Sequence, residues 1–386
     1  MLGIGKGFTD SYGKLCKRFI EHGAYANATM WFECNPRGMP IIERLGGSMI
    51  VEDSTRRLLY NPSRRLNLVF ACAETLWNLK GMDCLETVAF YNSRMRLFSD
   101  DGKTLRSSYG GRLRGRGTKH VGFQHDQLLE IIKTLERDRD SRQAIAVFRS
   151  SGELKVNTKD QICGCSVQFF IRNDQLHLVV HFRSSDIWLG VPYDYFWFSI
   201  LQQVVAIALD VEVGTFTHLA GSLHLYQKDF DAARTMINEP QEGRMISQEI
   251  FPTTFNKVRG KFPDGQNAMI AFDRCAELMI FIDRYFQSLE SNEVFDSELS
   301  NMHRLVAMEV ENPWLQPMME LLAPLLMYQF LKRMPTGKAV HRIKDVPLQV
   351  VEATTEIFSF LAPAWFLRRA VSFWRDDILK PIPQGE

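Results

Sequence analysis

CGCSVQFFIRNDQLHLVVHFRSSD, residues 163–186, contains two runs in which apolar and polar side chains alternate, separated by Asn173 and Asp174. Alternation of this kind is typical of half-buried strands, and an Asn-Asp pair between two such runs indicates a tight turn. The stretch therefore predicts a β-hairpin.

The sequence on either side of the hairpin predicts further helices and strands. Apolar residues at helical spacing predict a helix over 66–79, ended by Gly81, and a strongly apolar helix over about 195–209. Alternation predicts strands at 48–51 and 215–226. Together these elements predict the α/β (α+β) class, with a mixed sheet flanked by helices.

The C-terminal third has a different pattern. Residues 267–292, 296–334 and 349–376 each show the periodicity of long amphipathic or buried helices. We therefore expect two parts, a catalytic domain over 1–240 and a mostly helical C-terminal region over 241–386.

Composition limits the kinds of partner. The 386 residues are 45% hydrophobic and carry a formal net charge of +1, which favours neither a nucleic-acid nor a membrane-surface partner. Seven scattered cysteines in no framework spacing indicate free thiols in a reducing cytoplasm, and they form no metal-ligand pattern. The apolar segment 357–367 is broken by Pro363 and is too short to span a bilayer. A cytoplasmic protein without a metal site is the expectation.

Three motifs occur in a fixed order: QICGCSVQFF at 161–170, RSSDIWLGVPYD at 183–194 and AGSLHLY at 220–226. In sequence and spacing they resemble the thymidylate synthase superfamily, which includes pyrimidine-nucleotide hydroxymethylases. The pattern of that family is a catalytic Cys before Gln-Phe, then Arg-Ser-x-Asp-x-x-Leu-Gly-x-Pro-x-Asn, then Gly-x-x-His-x-Tyr. The resemblance covers about residues 35–232.

Weaker similarities extend the resemblance upstream, in AETLWNLKG, SSYGGRLRG, DRDSRQAIAVF and an NPRG segment. The resemblance implies a thymidylate synthase-like sheet and an obligate homodimer in which Arg142 reaches the site of the partner subunit. It also implies a set of site residues: Cys163, Glu74 and Tyr109 for catalysis; Arg37, Arg142, Arg183, Ser184, Asp194, His224 and Tyr226 for the nucleotide; Asp186 and Trp77 for 5,10-methylenetetrahydrofolate.

Physical chemistry agrees with the implied mechanism. Addition of a thiolate to C6 of a pyrimidine turns C5 into a nucleophile that can attack a one-carbon electrophile. We expect Arg183 to depress the pKa of Cys163, Glu74 to move protons, and Arg142 to join Arg183 on the phosphate. Alternatively, Cys163 is a buried structural thiol, or it pairs with Cys165 in a metal site or disulfide.

Departures from the family pattern concern the base and the product. Asp194 stands where the synthases have Asn, and a carboxyl group suits the N4 amino donor and N3 acceptor of cytosine. Gly164 replaces a His, Ser222 replaces an Asp, and the chain ends in KPIPQGE rather than a hydrophobic tail that closes the site. A more open site favours addition of water and a hydroxymethyl product.

These observations predict a C5 hydroxymethyltransferase that acts on dCMP or CMP with 5,10-methylenetetrahydrofolate. Two alternatives remain open at this point. One is a thymidylate synthase that methylates dUMP. The other is a catalytically silent nucleotide-binding or scaffold protein.

Overall fold

The structure is a computed structural model, and it describes residues 2–21, 30–57, 66–117 and 123–238, with residues 59, 61, 63 and 64 between them. The predicted boundary at residue 240 and the predicted helical region 241–386 lie outside these residues, so both stay predictions.

The described residues form seven strands and seven helices. The strands are β1 (Gly3–Gly5), β2 (Trp31–Cys34), β3 (Ile41–Val51), β4 (Ile145–Val147), β5 (Gly164–Arg172), β6 (Gln175–Asp186) and β7 (Glu212–Tyr226). The helices are α1 (Phe8–Ile20), α2 (Leu68–Lys80), α3 (Leu85–Tyr91), α4 (Tyr109–Leu113), α5 (Gln127–Arg137), α6 (Gly190–Ala208) and α7 (Phe230–Asn238).

The seven strands of the described residues form one sheet in the order β1-β3-β7-β6-β5-β4, with β2 paired to β3. The pairs β1/β3 and β6/β7 are parallel, and the other pairs are antiparallel. The predicted mixed sheet flanked by helices is therefore confirmed. The pairing places β6 between β5 and β7, the three strands whose ends carry the sequence motifs.

The predicted hairpin joins β5 to β6. Asn173 and Asp174 have φ values of 50° and 61°, and Arg172 pairs with Gln175 across them. Two successive residues with positive φ give a turn whose twist matches that of the flanking strands. Asn and Asp adopt this conformation more readily than other non-glycine residues, which is why the sequence alone located the turn.

Helix α2 matches the helix predicted over 66–79. The side chain of Asn67 accepts a hydrogen bond from the Phe70 N–H at 3.0 Å and caps the N-terminus. At the other end Gly81 has a φ of 80°, the left-handed conformation that commonly ends a helix. Both ends are therefore fixed by local chemistry.

Helix α6 begins earlier than the predicted 195–209, at Gly190, with Pro192 in its first turn, where proline costs no helical hydrogen bond. Its side chains are buried on nearly all sides against β6, β7 and α2. The early start places Asp194 on the helix rather than in the preceding loop. The position of Asp194 is thus tied to the core.

Strand β3 is longer than the predicted strand at 48–51. It runs from Ile41 to Val51 and pairs with β7 over most of that length, although Glu43, Arg44 and Gly46 interrupt the apolar pattern. Pairing with a long neighbour overrides the weak local signal. As a result Glu43 lies directly opposite His224.

Helix α1 packs on the core through an apolar stripe that includes Phe8, Tyr12 and Leu15, all fully buried. The ring of Phe8 stacks on that of Tyr195 in α6, with centroids 4.1 Å apart. None of the helices in the described part of the chain is both long and apolar enough to cross a membrane.

Candidate functional site

Cys163 lies immediately before β5 and is held there by Arg183 of β6. The backbone N–H of Arg183 donates to the Cys163 carbonyl at 2.8 Å. Its guanidinium donates to the carbonyls of Ile162 and Gln161 at 2.9 and 3.0 Å, and Nη2 is 3.7 Å from the Cys163 Sγ. Arg183 therefore fixes the loop that carries the thiol and also brings a cation to the sulfur.

The sequence predicted that the pKa of Cys163 is depressed, and this prediction is wrong in direction. Burial raises the pKa of the thiol, the charge of Arg183 partly offsets that effect, and the nearby Asp194 and Asp160 raise the pKa further. Cys163 is half-buried, with Arg183 as the favourable charge. Because a thiol with a raised pKa is protonated at neutral pH, it needs a base before it can add to an electrophile.

Tyr109 lies beside Cys163. Its hydroxyl accepts a hydrogen bond from the Gly164 N–H at 3.1 Å, and its ring packs edge-on against Phe148 and Phe198. A Cβ at position 164 would come within 2.6 Å of the Tyr109 ring, so the glycine permits the close approach. The family's histidine at this position is thus replaced by a residue that leaves room for the tyrosine.

Glu74 of α2 is half-buried, and burial raises its pKa to about 7. No cation contributes to that shift. A carboxyl group with a pKa near 7 is populated in both protonation states at neutral pH, so it can both accept and donate a proton. The charge of Glu74 also raises the pKa of Tyr109, which places the two groups within electrostatic reach of each other.

Asp194 of α6 interacts electrostatically with Glu74 and Tyr109. Burial raises its pKa well above the ordinary value, and the charges of Glu74 and Asp186 raise it further. Asp194 in turn raises the pKa of Cys163 and of Tyr109. We name Cys163, Glu74 and Asp194 the thiol–carboxylate cluster.

The parallel pair β6/β7 aligns a second group of side chains with the first. Asp186 is in register with His224, and Ser184 with Ser222. The Asp186 Oδ1 accepts a hydrogen bond from the Trp188 N–H at 2.9 Å, which fixes the loop into α6. Burial lowers the pKa of His224 despite the opposing charge of Asp186, so the imidazole is neutral at pH 7.

Tyr226 completes this row two residues after His224, with the two rings edge-to-face at 5.3 Å. Its pKa, raised mainly by burial, also responds to Asp186, Arg37 and Cys163. Arg37 lies in the exposed turn between β2 and β3, with a φ of 56°. The charge of Arg37 thus reaches Tyr226.

Two predicted residues are placed differently. Trp77 is only 3% exposed, and its indole N–H donates to the Cys84 carbonyl at 3.0 Å, so it supports the site from within the core. Arg142 is exposed in the loop before β4, and its carbonyl accepts from Gln168. Within a single chain, the described contacts do not bring Arg142 to Cys163.

Sequence reasoning gave no role to three further polar residues of the described chain. Asp160 accepts a hydrogen bond from the Ser107 N–H at 2.9 Å and acts electrostatically on Cys163. His218 is fully buried, 3.1 Å from the Ser185 Oγ and stacked on Phe182. The third is Glu43, which lies opposite His224 in a part of β3 that the sequence did not predict as a strand.

Within the described residues no group of three or more His, Cys, Asp or Glu side chains could hold a metal ion. The described cysteines, Cys163 and Cys165 among them, are free thiols. The disulfide alternative for Cys163 and Cys165 is therefore wrong. The arrangement instead offers one nucleophile, one carboxyl group with a pKa of about 7 and one carboxyl group whose pKa burial raises well above its ordinary value.

Comparison with known proteins gives consistent matches. The family model described as thymidylate synthase matches residues 10–258, more than half of the chain. A deoxyuridylate hydroxymethyltransferase of Bacillus phage SP01 is 33% identical over 207 residues, which cover 52% of this chain and 54% of the relative. A deoxyuridylate hydroxymethyltransferase of Pseudomonas phage M6 is 35% identical over 175 residues, covering 45% of this chain and 48% of the relative. The chain thus matches only about half the length of these curated relatives.

Proposed function

Because the chain belongs to the thymidylate synthase family, we propose that it transfers a one-carbon unit to C5 of a pyrimidine nucleoside monophosphate and leaves a hydroxymethyl group there. The observation that carries the proposal is the thiol–carboxylate cluster, in which Arg183 lies 3.7 Å from the Cys163 sulfur and a carboxyl group with a pKa near 7 lies nearby. The names of both phage relatives support the hydroxymethyl product.

The reaction begins at Cys163. A base removes the thiol proton, the thiolate adds to C6, and the electron pair of the C5–C6 bond makes C5 nucleophilic. Methylenetetrahydrofolate supplies the electrophilic one-carbon unit. Glu74 takes up the proton lost from C5, since a pKa near 7 lets it accept and release protons at neutral pH. The C–N bond to tetrahydrofolate then breaks, which releases tetrahydrofolate and leaves an exocyclic methylene at C5. Water adds to that methylene carbon, and the C6–S bond breaks to restore the C5–C6 double bond.

The co-substrate fits the residues at the start of α6. The Asp186 carboxyl, whose pKa is raised by burial, lies beside Leu189, which is 43% exposed. A flat heterocycle with amino and ring N–H groups needs one hydrogen-bonding carboxyl and an apolar surface, and these two residues offer both. Trp77 would contribute by packing behind this surface.

Arginine side chains are proposed to bind the phosphate of the nucleotide. Arg183 uses two of its five N–H donors on backbone carbonyls of residues 161 and 162, which leaves others for an anion. Arg37, in its exposed turn, is the second candidate on the same chain. Arg142 would act from the partner subunit of a homodimer. Ser184, His224 and Tyr226 would hold the sugar and phosphate oxygens.

Asp194 is proposed to select cytosine, in dCMP or CMP. Burial raises its pKa well above the ordinary value and so favours the protonated carboxyl, in which the carbonyl oxygen can accept from the N4 amino group while the hydroxyl donates to N3. The same neutral carboxyl can donate to O4 and accept from N3–H of uracil. The names of the phage relatives favour this second candidate, deoxyuridylate.

A nucleotide panel tests the proposal and separates the two bases. The full chain is incubated with methylenetetrahydrofolate and dCMP, CMP, dUMP or UMP, while tritium release from C5 and the product mass are followed. A hydroxymethyl product from dCMP or CMP supports the cytosine proposal, and turnover of dUMP alone rejects it. Formation of dihydrofolate with a methyl product would identify a thymidylate synthase instead. Absence of C5 exchange with all four nucleotides would leave the silent-protein hypothesis.

The Asp194→Asn variant tests whether Asp194 selects the base of the nucleotide. A carboxyl exchanges donor and acceptor by moving a proton, whereas an amide must rotate, so Asn fixes one pattern. If Asp194 reads cytosine, the variant loses about ten- to hundredfold in kcat/KM for dCMP and retains or gains turnover of dUMP. An equal loss with both bases contradicts a role in base selection.

A further inference from the structure

Glu43 of β3 has no part in the mechanism above, yet it lies directly opposite His224 of β7 in the antiparallel pair. Residues that face each other across two strands share one side of the sheet. Both side chains therefore lie in the row of β6 and β7 that also contains Asp186, which is in register with His224. His224 is thus flanked by a carboxylate on each neighbouring strand.

Ser222 connects Glu43 to His224. The Ser222 hydroxyl donates a short hydrogen bond to the Glu43 Oε1, and its oxygen is 3.5 Å from the His224 Nδ1. A hydroxyl has one proton, and here that proton points to the carboxylate. Towards the imidazole the Ser222 oxygen offers a lone pair, which favours the ring proton on Nδ1, and a hydrogen bond to the Ser222 backbone also favours a protonated ring nitrogen.

Because the His224 ring is neutral, the position of its single proton decides which ring nitrogen can accept a hydrogen bond. Burial lowers the pKa of the imidazole, so the ring holds a single proton at pH 7. When that proton is on Nδ1, Nε2 is an acceptor. Asp186 acts on His224 through its charge, and its Oδ1 accepts from the Trp188 N–H.

We infer that Glu43 is a positioning residue, which acts through Ser222 to hold His224 in the Nδ1–H tautomer with Nε2 free to accept a hydrogen bond from a substrate hydroxyl. The inference rests on the proposed function in taking that hydroxyl to be the 3′-hydroxyl of the nucleotide sugar. Without Glu43, the Ser222 hydroxyl can turn and donate to Nδ1, which moves the ring proton to Nε2. His224 would then present a donor where the substrate needs an acceptor.

The tautomer is measured directly by long-range ¹H–¹⁵N correlation spectra of the histidine rings in the full chain. Wild type is expected to show His224 protonated at Nδ1. Glu43→Ala is expected to shift the ring towards the Nε2–H form, and Glu43→Gln to shift it less, because the amide oxygen can still accept from the Ser222 hydroxyl. Adding Ser222→Asp to Glu43→Ala places a carboxylate next to Nδ1, so the double variant should return to the wild-type tautomer. Glu52→Gln, an exposed change just beyond the end of β3, is the matched control.

Nucleotide affinity reports the consequence of the tautomer. The panel of dCMP and dUMP is compared with the 2′,3′-dideoxy forms of the same nucleotides. Wild type and Glu52→Gln should bind the 3′-hydroxyl forms about five- to tenfold more tightly, the size of one hydrogen bond, and Glu43→Ala should lose that preference. KM for the nucleotide should rise by the same factor in Glu43→Ala, whereas kcat stays within about threefold.

The two measurements separate failure of the inference from failure of the proposed function. An unchanged His224 tautomer in folded Glu43→Ala overturns the inference, as does the absence of rescue by Ser222→Asp. A shifted tautomer with an unchanged preference for the 3′-hydroxyl supports the action of Glu43 on His224 and overturns the assignment of His224 to the sugar.

Discussion

Two regions of this molecule bury carboxyl groups under opposite conditions. Glu153 lies against Arg112, which is 1% exposed, and the two side chains form an ion pair at 2.5 Å. Burial alone would raise the pKa of Glu153, but hydrogen bonds from Arg112 and from the Ser150 backbone outweigh it and lower the pKa. In the thiol–carboxylate cluster, burial raises the pKa of Glu74 and Asp194, and no cation contributes to either shift.

The two regions therefore differ in role: one stabilises the fold, and the other can take part in a reaction. A carboxylate that is fully paired holds its neighbours in place but cannot exchange protons near neutral pH. A carboxyl group that is buried without a partner costs stability, and such groups are often found where a reaction needs them. Helix α4 links the two regions, because it carries Tyr109 at one end and Arg112 one turn later.

The largest expected effect is on the nucleophile. Cys163→Ala should reduce C5 tritium release by at least about a thousandfold, because no other group can add to C6. The free energy of unfolding should change by less than about 1 kcal/mol, since the side chain is half-buried. Cys165→Ser, two residues along the chain, is the control and should retain most of the activity. Comparable losses in both variants would contradict the assignment.

Breaking the ion pair between Arg112 and Glu153 should lower the free energy of unfolding strongly. Arg112→Met leaves Glu153 buried without its cation and removes donors to the carbonyls of Phe148 and Arg106. Urea unfolding should show a loss of about 3–5 kcal/mol. Glu86→Gln, which breaks the exposed pair with Arg96, should cost less than about 0.5 kcal/mol. Similar costs for the two changes would show that burial does not distinguish these pairs.

Glu74→Gln should stabilise the fold while it slows the reaction. The pKa of Glu74 is about 7 in the folded chain against an ordinary value of 4.5, so folding binds a proton and stability declines as pH rises from about 4.5 to 7. Unfolding at pH 8 should therefore cost about 2 kcal/mol more in the variant, with little difference at pH 4.

The catalytic role of Glu74 is tested by the dependence of C5 exchange on pH. C5 exchange in wild type should rise through about pH 7, and Glu74→Gln should lose that limb together with about a hundredfold of rate. Equal stability of the two proteins at pH 8, or an unchanged limb, would contradict the assignment of this carboxyl.

The smallest expected effect is on the titration of the thiol. Arg183 lowers the pKa of Cys163 and Asp194 raises it, so Arg183→Gln should move the pH midpoint of iodoacetamide labelling upward and Asp194→Asn should move it downward. Labelling is measured by peptide mass at each pH, with Cys84, which is exposed, as the internal reference. Movement of both midpoints in the same direction would contradict the charge assignment.

The elements that the sequence predicted correctly are those governed by local chemistry. The hairpin follows from Asn173 and Asp174, and the ends of α2 follow from Asn67 and Gly81. The order of the motifs also predicted which residues meet, because the strands that carry Cys163 and Arg183 are neighbours in the sheet.

What the sequence could not give depends on distant contacts. The pKa of Cys163 was predicted from one cation, but burial, the distant Asp194 and the neighbouring Asp160 outweigh it. The role of Glu43 depends on the register of β3 with β7, two strands far apart in the chain. A local pattern contains neither the degree of burial nor this register.

Trapping the adduct on Cys163 tests the central claim most directly. A nucleotide with fluorine at C5 has no proton to lose there, so the reaction should stop with the base bonded to the sulfur and to the one-carbon donor. After incubation of the full chain with methylenetetrahydrofolate and the 5-fluoro form of dCMP or dUMP, peptide mass mapping should find nucleotide and folate together on Cys163. Full C5 turnover of the natural nucleotide with no adduct on Cys163, or an adduct on another cysteine, would contradict the account.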